Sequence, residues 1–377
     1  MKKLIIAPDS YKGSLTAKEI CDIIGDVAQV NFPELEIIKL PIADGGEGLV
    51  DALLFAEIGE KVFVRVKDPL WRDIEASYGI LANGTAVIEM AAASGLPLLK
   101  NSERNVLEAT TYGTGQLIKD ALERGCREFI LGLGGSATND GGAGAAGALG
   151  IQYIGRDQKV IYSGKDLRSL VRIDDSGIFE KINHAQFTIA CDVTNPLYGS
   201  NGAASVYGPQ KGASLQDVIQ LDEGLRNLAE VVMRQTGVDI QTIPGTGAAG
   251  GMVVPFLIFT NARVRRGLDV VLDTINFDRH LQGCDLVITG EGRTDYQSSM
   301  GKAISGIGLR AMAEGIPVIA ISGALQSGYE GLYESGISAF FSTCREILSL
   351  DTAMANAAEN LRNTAGDVFR LIKLGLS

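Results

Sequence analysis

Histidine is nearly missing from this chain. Its two copies, His184 in KINHAQ and His280 in FDRHLQ, lie outside the polar glycine-rich loops and read as structural. With no H-E-x-x-H and no grouped cysteine/histidine set, nothing supports a zinc centre. No G-x-S-x-G elbow occurs, which argues against a serine hydrolase, and the H-R-D and D-F-G signatures of protein kinases are absent too. The five cysteines (21, 126, 191, 284 and 344) are odd in number and scattered, with no C-x-x-C, so they read as reduced thiols rather than a disulfide framework. Aromatic residues are scarce at 6%. Positive charge is also short: 34 Lys and Arg face 45 Asp and Glu, and the net charge of −11 argues against a nucleic acid or an anionic membrane as the main partner. Long apolar runs are lacking. The longest, MVVPFLIF at 252–259, is far below a membrane span, and the apolar start of MKKLIIAPDS stops at Pro8 and Asp9, too early for a signal peptide. The expected setting is the cytoplasm.

What is abundant is glycine, 47 residues without low complexity, which points to loops that bind through their backbone. A length of 377 residues predicts two domains, and 46% hydrophobic with 21% charged residues is a globular composition. The first 60 residues read β-α-β-α: KLIIA as a buried strand, a helix capped by Thr16 and Glu19 of TAKE, then EIIKL and a helix in GLVDALLFAEIG. The same alternation returns in DLVITG (285–290), IPVIAIS (316–322) and ISAFFST (337–343), with a helix from Asp351 to Leu374. Between them, YGILANGTAVIEM (78–90) is a hairpin signal around Asn83-Gly84. Two strands cannot bury a core alone, so the N-terminal segment is expected to share a parallel sheet with the C-terminal hundred residues, the middle forming an inserted domain with a cleft beside it. Two consecutive domains split near residue 190 are the alternative.

Five glycine-rich polar segments stand at or near strand ends: APDSYKGS (7–14), ADGGEG (43–48), LGLGGSATNDGG (131–142), ACDVTNPLYGSNGA (190–203) and TGEGRTDYQS (289–298). Carboxyl ends of parallel strands are where α/β proteins bind ligands. LGLGGSATNDGG leads into a small-residue helix that could direct N–H groups at a phosphate, with Ser136 and Thr138 as hydroxyl donors. It is neither a Walker A loop nor a clean G-x-G-x-x-G, and close helix–strand packing explains it equally well. Asp9, Asp44, Glu47, Asp140, Asp192, Glu291 and Asp295 all fall in these loops. So many acids in one cleft need a shared cation, and Mg²⁺ arriving with phosphates is the natural one. Lys12, Lys211, Arg293 and Lys302 supply further positive charge. These residues suggest a Mg²⁺-nucleotide phosphotransferase acting on a small molecule.

As a set, APDSYKGSLTA, ADGGEG, LGLGGSATNDGGAG, ACDVTNPLYGSNGA, YGPQKGA, PGTGAAGG and VITGEGRTDYQSSMGKA resemble the bacterial type I glycerate kinase family, in register from residue 3 to about 305. The resemblance implies transfer of the ATP γ-phosphate to D-glycerate, mostly onto the 2-hydroxyl, with 3-phospho-D-glycerate as the other product. It implies an α/β fold of two α/β domains: a Rossmann-like parallel-sheet domain split in sequence (1–62 plus 284–377) and an inserted mixed α/β domain (63–283), with the active site in the cleft between them. ATP and Mg²⁺ are the implied cofactors, and the partners are small molecules, with a homodimer allowed. Carried over by position, the substrate-binding set is Asp9, Ser10, Lys12, Gly13, Ser14, Gly45, Gly46, Glu47, Asn195, Arg293, Asp295 and Gln297. The nucleotide-binding set is Gly132, Gly134, Gly135, Ser136, Ala137, Thr138, Asn139, Gly141, Gly142 and Lys211. Asp192 is the preferred general base, with Asp44 beside it as base or metal ligand and Lys12 as a third catalytic residue. Lys12 and Arg293 are assigned to the glycerate carboxylate or the γ-phosphate, and Asp44, Asp140, Asp192 and Glu291 are the metal candidates. Tyr11 stands where phenylalanine is common and Ile304 where proline is frequent. A non-catalytic glycerate or nucleotide sensor, and a dinucleotide-dependent oxidoreductase, are the competing classes.

Overall fold

The computed structural model describes residues 1–43, 45–296, 303–347 and 349–375. The chain forms two compact units. Unit 1 comprises Met1–Asp44, Asp51–Glu57 and Leu268–Ser377, and unit 2 comprises Gly45–Val50 and Ile58–Gly267.

Unit 1 opens with β1 (Lys3–Ile6) and β2 (Glu36–Lys39), joined by the helix Ala17–Asn31. Thr16 caps that helix: its hydroxyl accepts from the Glu19 N–H, and the Glu19 carboxylate accepts from the Thr16 N–H, the box that TAKE predicts. Ile20, Ile23, Ile24 and Ala28 make its buried stripe, packed in one core with Leu361, Val368 and Phe369 of the C-terminal helix Ala357–Gly375. Unit 2 then supplies β3 (Gly59–Lys67), β4 (Asp73–Leu81), β5 (Ala86–Glu89), β6 (Glu128–Gly132), β7 (Gln152–Gly155), β8 (Val160–Ile161), β9 (Leu170–Asp174), β10 (Gln186–Ala190) and β11 (Arg263–Arg265). The return to unit 1 brings β12 (Leu286–Thr289), β13 (Arg293–Thr294), β14 (Val318–Ser322), β15 (Ala324–Leu325) and β16 (Ile337–Ser342).

In unit 1 the main sheet runs β16-β14-β12-β1-β2 with every neighbouring pair parallel. Its central strands are apolar almost throughout (KLII, LVIT, VIAIS), as a sheet covered on both faces requires. Counted within the unit, the order is 2-1-3-4-5, a doubly wound sheet whose strand order reverses between β1 and β12. Main-chain bonds from Ala7 N to the Ile288 carbonyl and from Asp9 N to the Gly290 carbonyl carry that pairing beyond the strand ends.

Unit 2 has a mixed sheet, β11-β10-β6-β5-β4-β3. The strands β5, β6, β10 and β11 are parallel, and β3 and β4 extend the sheet as an antiparallel hairpin. The β4–β5 turn is the one expected at Asn83-Gly84, with Gly84 at φ +84°. β3 was not anticipated: only Val62 and Val66 of its nine residues are buried, while Phe63 is exposed. The Phe129 and Phe187 rings stack at 4.7 Å inside the main core. A second core lies under the helix Leu215–Thr236, which buries Leu225, Leu228 and Val232 beside the three-stranded β8-β7-β9 sheet. All five cysteines are free thiols. No described helix is long and apolar enough to cross a membrane.

Candidate active site

The four parallel strands of unit 2 end in register. Glu89, Gly132, Ala190 and Arg265 stand side by side as the last paired residues of β5, β6, β10 and β11. The segment Gly45–Val50 lies on this row. Val50 N donates to Glu89 Oε1 at 2.8 Å. A Cβ on Gly132 would stand 2.6 Å from the Gly45 carbonyl oxygen, and one on Gly134 would stand 2.6 Å from Gly46 Cα. Only glycine backbones can approach this closely. Beside them, exposed Asp192 leaves β10 with its Oδ1 accepting from Gly267 N at 2.9 Å. Gly267 in turn lies against Gly45, where an added Cβ would meet its Cα at 2.8 Å. Of the residues singled out in the sequence, Gly45, Gly46, Gly132, Gly134 and Asp192 are thus brought together, with Glu47 exposed at the edge. Asp44, Gln297 and Lys302 lie outside the described residues.

The glycine loop divides into an outer and an inner part. Gly134 and Gly135 are exposed, whereas Ser136, Ala137, Thr138, Asn139, Asp140, Gly141 and Gly142 are buried. Asp140 faces inward completely. Its Oδ2 accepts from Thr111 N (2.8 Å), Thr111 Oγ1 (2.8 Å) and Gly144 N (3.1 Å), and its Oδ1 accepts from Gly142 N (3.1 Å). Burial raises its pKa, and those hydrogen bonds oppose the rise. Two expectations change as a result. The helix after the loop, Ala143–Ala148, has six residues, and N–H groups at its start are already taken by Asp140 rather than aimed at a phosphate. Asp140 also does not fit a metal ligand, because four protein donors converge on its carboxylate in a closed interior.

Lys211, expected among the nucleotide ligands, is only 2% exposed. Its ammonium donates to Ser136 Oγ at 2.8 Å and to the Thr138 carbonyl at 2.7 Å. Burial lowers its pKa to about 7, against the opposing field of Asp140. Asn195 is likewise committed to its own loop: Nδ2 donates to the Asn201 carbonyl at 2.9 Å, and Oδ1 accepts from Tyr207 Oη at 2.6 Å.

In unit 1 the first and fifth motifs follow β1 and β12, the strands flanking the reversal. Asp9 is buried, and its Oδ1 accepts from Ser10 N at 2.6 Å. Tyr11 pairs with Leu15 across a tight turn that leaves Lys12 and Gly13 exposed and Ser14 half-buried. The Tyr11 hydroxyl donates to the Ile321 carbonyl at 2.7 Å, so the tyrosine that replaces the commoner phenylalanine has its polar atom paired. A Cβ on Gly292 would lie 3.2 Å from Tyr11 Cα, which sets the two motifs side by side. Glu291 and Asp295 are buried, while Arg293 is exposed with its Nε 3.4 Å from Asp295 Oδ2.

Glu89, Gly267 and the exposed Arg265 and Arg266 were not singled out in the sequence. An acid at the end of a predicted strand was the available signal for Glu89, and the RVRR run for the arginines. Among the described residues, no three carboxylate, imidazole or thiol groups gather as a metal site. Chemically, the row offers exposed glycine backbone at a strand end and an exposed carboxylate whose Oδ1 accepts from a main-chain N–H.

A glycerate kinase family model matches residues 4–373. A glycerate kinase of Bacillus cereus is 45% identical over 374 residues, spanning 99% of this chain and 98% of the relative. The glycerate 2-kinase of Escherichia coli is 42% identical over 376 residues, spanning 99% of both chains. A crystal structure from Salmonella typhimurium LT2, described as a candidate glycerate kinase 2, superposes with a TM-score of 0.90 at 42% identity and covers 100% of this chain and 99% of the other.

Proposed function

The chain belongs to the glycerate kinase family, and from that premise we propose that it transfers the γ-phosphoryl group of ATP to the 2-hydroxyl of D-glycerate, giving 2-phospho-D-glycerate and ADP. The observation that carries the reading is the meeting of Gly45–Gly46, Gly134 and anchored Asp192 at the ends of parallel strands β6 and β10. Phosphoryl transfer asks little covalent work of a protein; positioning and charge stabilisation supply the rate.

In this reading Asp192 accepts the proton of the substrate hydroxyl as its oxygen forms the new bond to phosphorus and ADP leaves with the electrons of the broken one. The Gly267 N–H holds the carboxylate through Oδ1, fixing the direction in which it can accept. The exposed Gly134 and Gly135 backbone lines the triphosphate, and the buried Ser136–Asp140 stretch supports it from behind. In unit 1, Lys12 and Arg293 are the cations assigned to the glycerate carboxylate or the γ-phosphate. Mg²⁺ is the cation that a nucleotide-dependent phosphotransfer calls for, and it binds through one or two carboxylates plus substrate phosphates rather than an all-protein cage. Asp44 and Glu291 are the carboxylates that would hold it, and when bound it neutralises phosphate charge.

A coupled assay with D-glycerate and Mg²⁺-ATP, followed by ³¹P NMR of the product, tests the proposal. A 2-phosphoglycerate signal is expected. A 3-phospho product corrects the regiochemistry alone, and no phosphoglycerate of either kind overturns the assignment.

A further inference from the structure

Lys211 carries an amine into the interior of unit 2, and none of the roles assigned above explains why it is there. It closes the short turn Pro209–Lys211, and Gly212, at φ +93°, turns the chain away immediately afterwards. An added Cβ on Gly212 would stand 2.8 Å from the Arg104 carbonyl oxygen, so the turn is seated against that segment. Arg104 Nη1 also donates to the Gln210 carbonyl at 3.1 Å. From this fixed point the Lys211 ammonium reaches two acceptors in the glycine loop, Ser136 Oγ and the Thr138 carbonyl. These sit immediately behind exposed Gly134 and Gly135. The other side of the loop is pinned by main chain: Leu96 N donates to the Gly135 carbonyl at 2.8 Å, and Ala137 N to the Ser94 carbonyl at 2.9 Å.

We propose that Lys211 is a positioning residue for phosphoryl transfer, one that never meets the nucleotide but fixes the curvature of the loop that does. The inference rests on the reading that Gly134 and Gly135 line the triphosphate. Bringing Ser136 Oγ and the Thr138 carbonyl to a single donor bends the chain between them, and that bend sets where the backbone just ahead of it points. A primary amine suits this task because it carries several N–H donors on one atom and can serve both acceptors at once. The charged groups around the ammonium are Asp140, whose field opposes the effect of burial, and Arg104, on the far side of its turn. The side chain of Asn139, next along the loop, is fully buried with neither amide atom hydrogen-bonded. Asn139 therefore adds no side-chain hydrogen bond of its own to the loop.

The test compares Lys211→Met, Ser136→Ala, the double variant and Gly134→Ala in the full-length protein, with steady-state kinetics in Mg²⁺-ATP and in D-glycerate. Lys211→Met is expected to raise KM for Mg²⁺-ATP by about tenfold, the scale of a buried donor removed from its acceptors, with KM for glycerate unchanged. Ser136→Ala should raise it by a smaller factor, and the double variant should be no worse than Lys211→Met alone, because the two act through one contact. If Lys211→Met lowers the melting temperature or the active fraction while both KM values stay at wild type, Lys211 is merely structural and the proposal falls. Should Lys211→Met fail to fold, Ser136→Ala decides alone, and an unchanged KM for Mg²⁺-ATP overturns the proposal. Gly134→Ala separates the two layers. If it shifts KM for Mg²⁺-ATP and Lys211→Met does not, the positioning role fails and the loop assignment stands; if neither does, both fail.

Discussion

Replacing Asp140 by asparagine separates a structural clamp from a metal ligand. The wild-type carboxylate accepts four hydrogen bonds in a fully buried site. It also binds the starts of two helices together, through Thr111 at the N-cap of Tyr112–Glu123 and Gly144 in the first turn of Ala143–Ala148. Asparagine preserves the volume but offers one acceptor oxygen. With that oxygen in the Oδ2 position three bonds survive without charge assistance, and the amide nitrogen then confronts Gly142 N, donor against donor. One buried N–H is orphaned and three bonds are weakened, a loss of roughly 2–4 kcal/mol. For a unit of this size that corresponds to a fall in melting temperature of roughly 5–10 °C. Trp71, the chain's single tryptophan, is a built-in reporter: its ring lies 4.9 Å from that of Tyr112, the first residue of the clamped helix. Tryptophan fluorescence during thermal and urea unfolding should show the early transition. Unfolding that matches wild type, together with a raised Mg²⁺ requirement in turnover, would refute the clamp and restore Asp140 as a metal ligand.

Other consequences can be measured in the same protein. Because burial lowers the Lys211 pKa to about 7, the folded state binds fewer protons than the unfolded state between there and the ordinary lysine value, so stability should rise with pH in that window. Relative to Lys211→Met, the wild type should gain on the order of 2 kcal/mol between pH 7 and 9 in urea titrations, and parallel curves would contradict the shift. Asp192→Asn should lower kcat by about a hundredfold or more while leaving the fold intact; near-normal turnover, with Asp44→Asn inactive, would transfer the general-base role to Asp44. Tyr11→Phe removes the hydroxyl that satisfies the Ile321 carbonyl and should cost about 1 kcal/mol of stability with kcat unchanged. A large kcat loss would instead place that hydroxyl in the chemistry.

What could be read from the sequence was local or periodic. The Thr16–Glu19 box, the Asn83-Gly84 turn and the apolar runs of β1, β12 and β14 each depend on residues within a few positions of one another. Sharing of one sheet by the two ends of the chain followed from the poverty of the N-terminal core, but alternation alone does not dictate the 2-1-3-4-5 order. The meeting of the ADGGEG, LGLGGSATNDGG and ACDVTNP loops within unit 2 was legible because strand-end loops in parallel sheets congregate. Which way each side chain faces was not. Asp140 turns inward because its donors include Thr111, 29 residues earlier, and Lys211 is buried because its acceptors are Ser136 and Thr138, 75 and 73 residues away. Glu89 escaped notice for the same reason: its partner, Val50, lies 39 positions upstream. An acid or a lysine in a polar loop carries no local mark of whether it meets solvent or closes a tertiary contact.

The contact of Gly132 and Gly134 with Gly45 and Gly46 also limits how this protein can vary. Two stretches of bare backbone, 86 to 89 residues apart in the chain, behave as one mechanical part: a methyl group on Gly132 or Gly134 presses directly on the Gly45–Gly46 main chain. A side chain added at Gly132 and one added at Gly134 therefore inflict the same injury, each on the Gly45–Gly46 main chain. The second should cost little once the first is present, and no side chain elsewhere can relieve either, because the obstruction is main chain. Saturation mutagenesis would show Gly132 and Gly134 as a single intolerant pair with strongly sub-additive effects, the genetic signature of a loop seated on another loop's main chain.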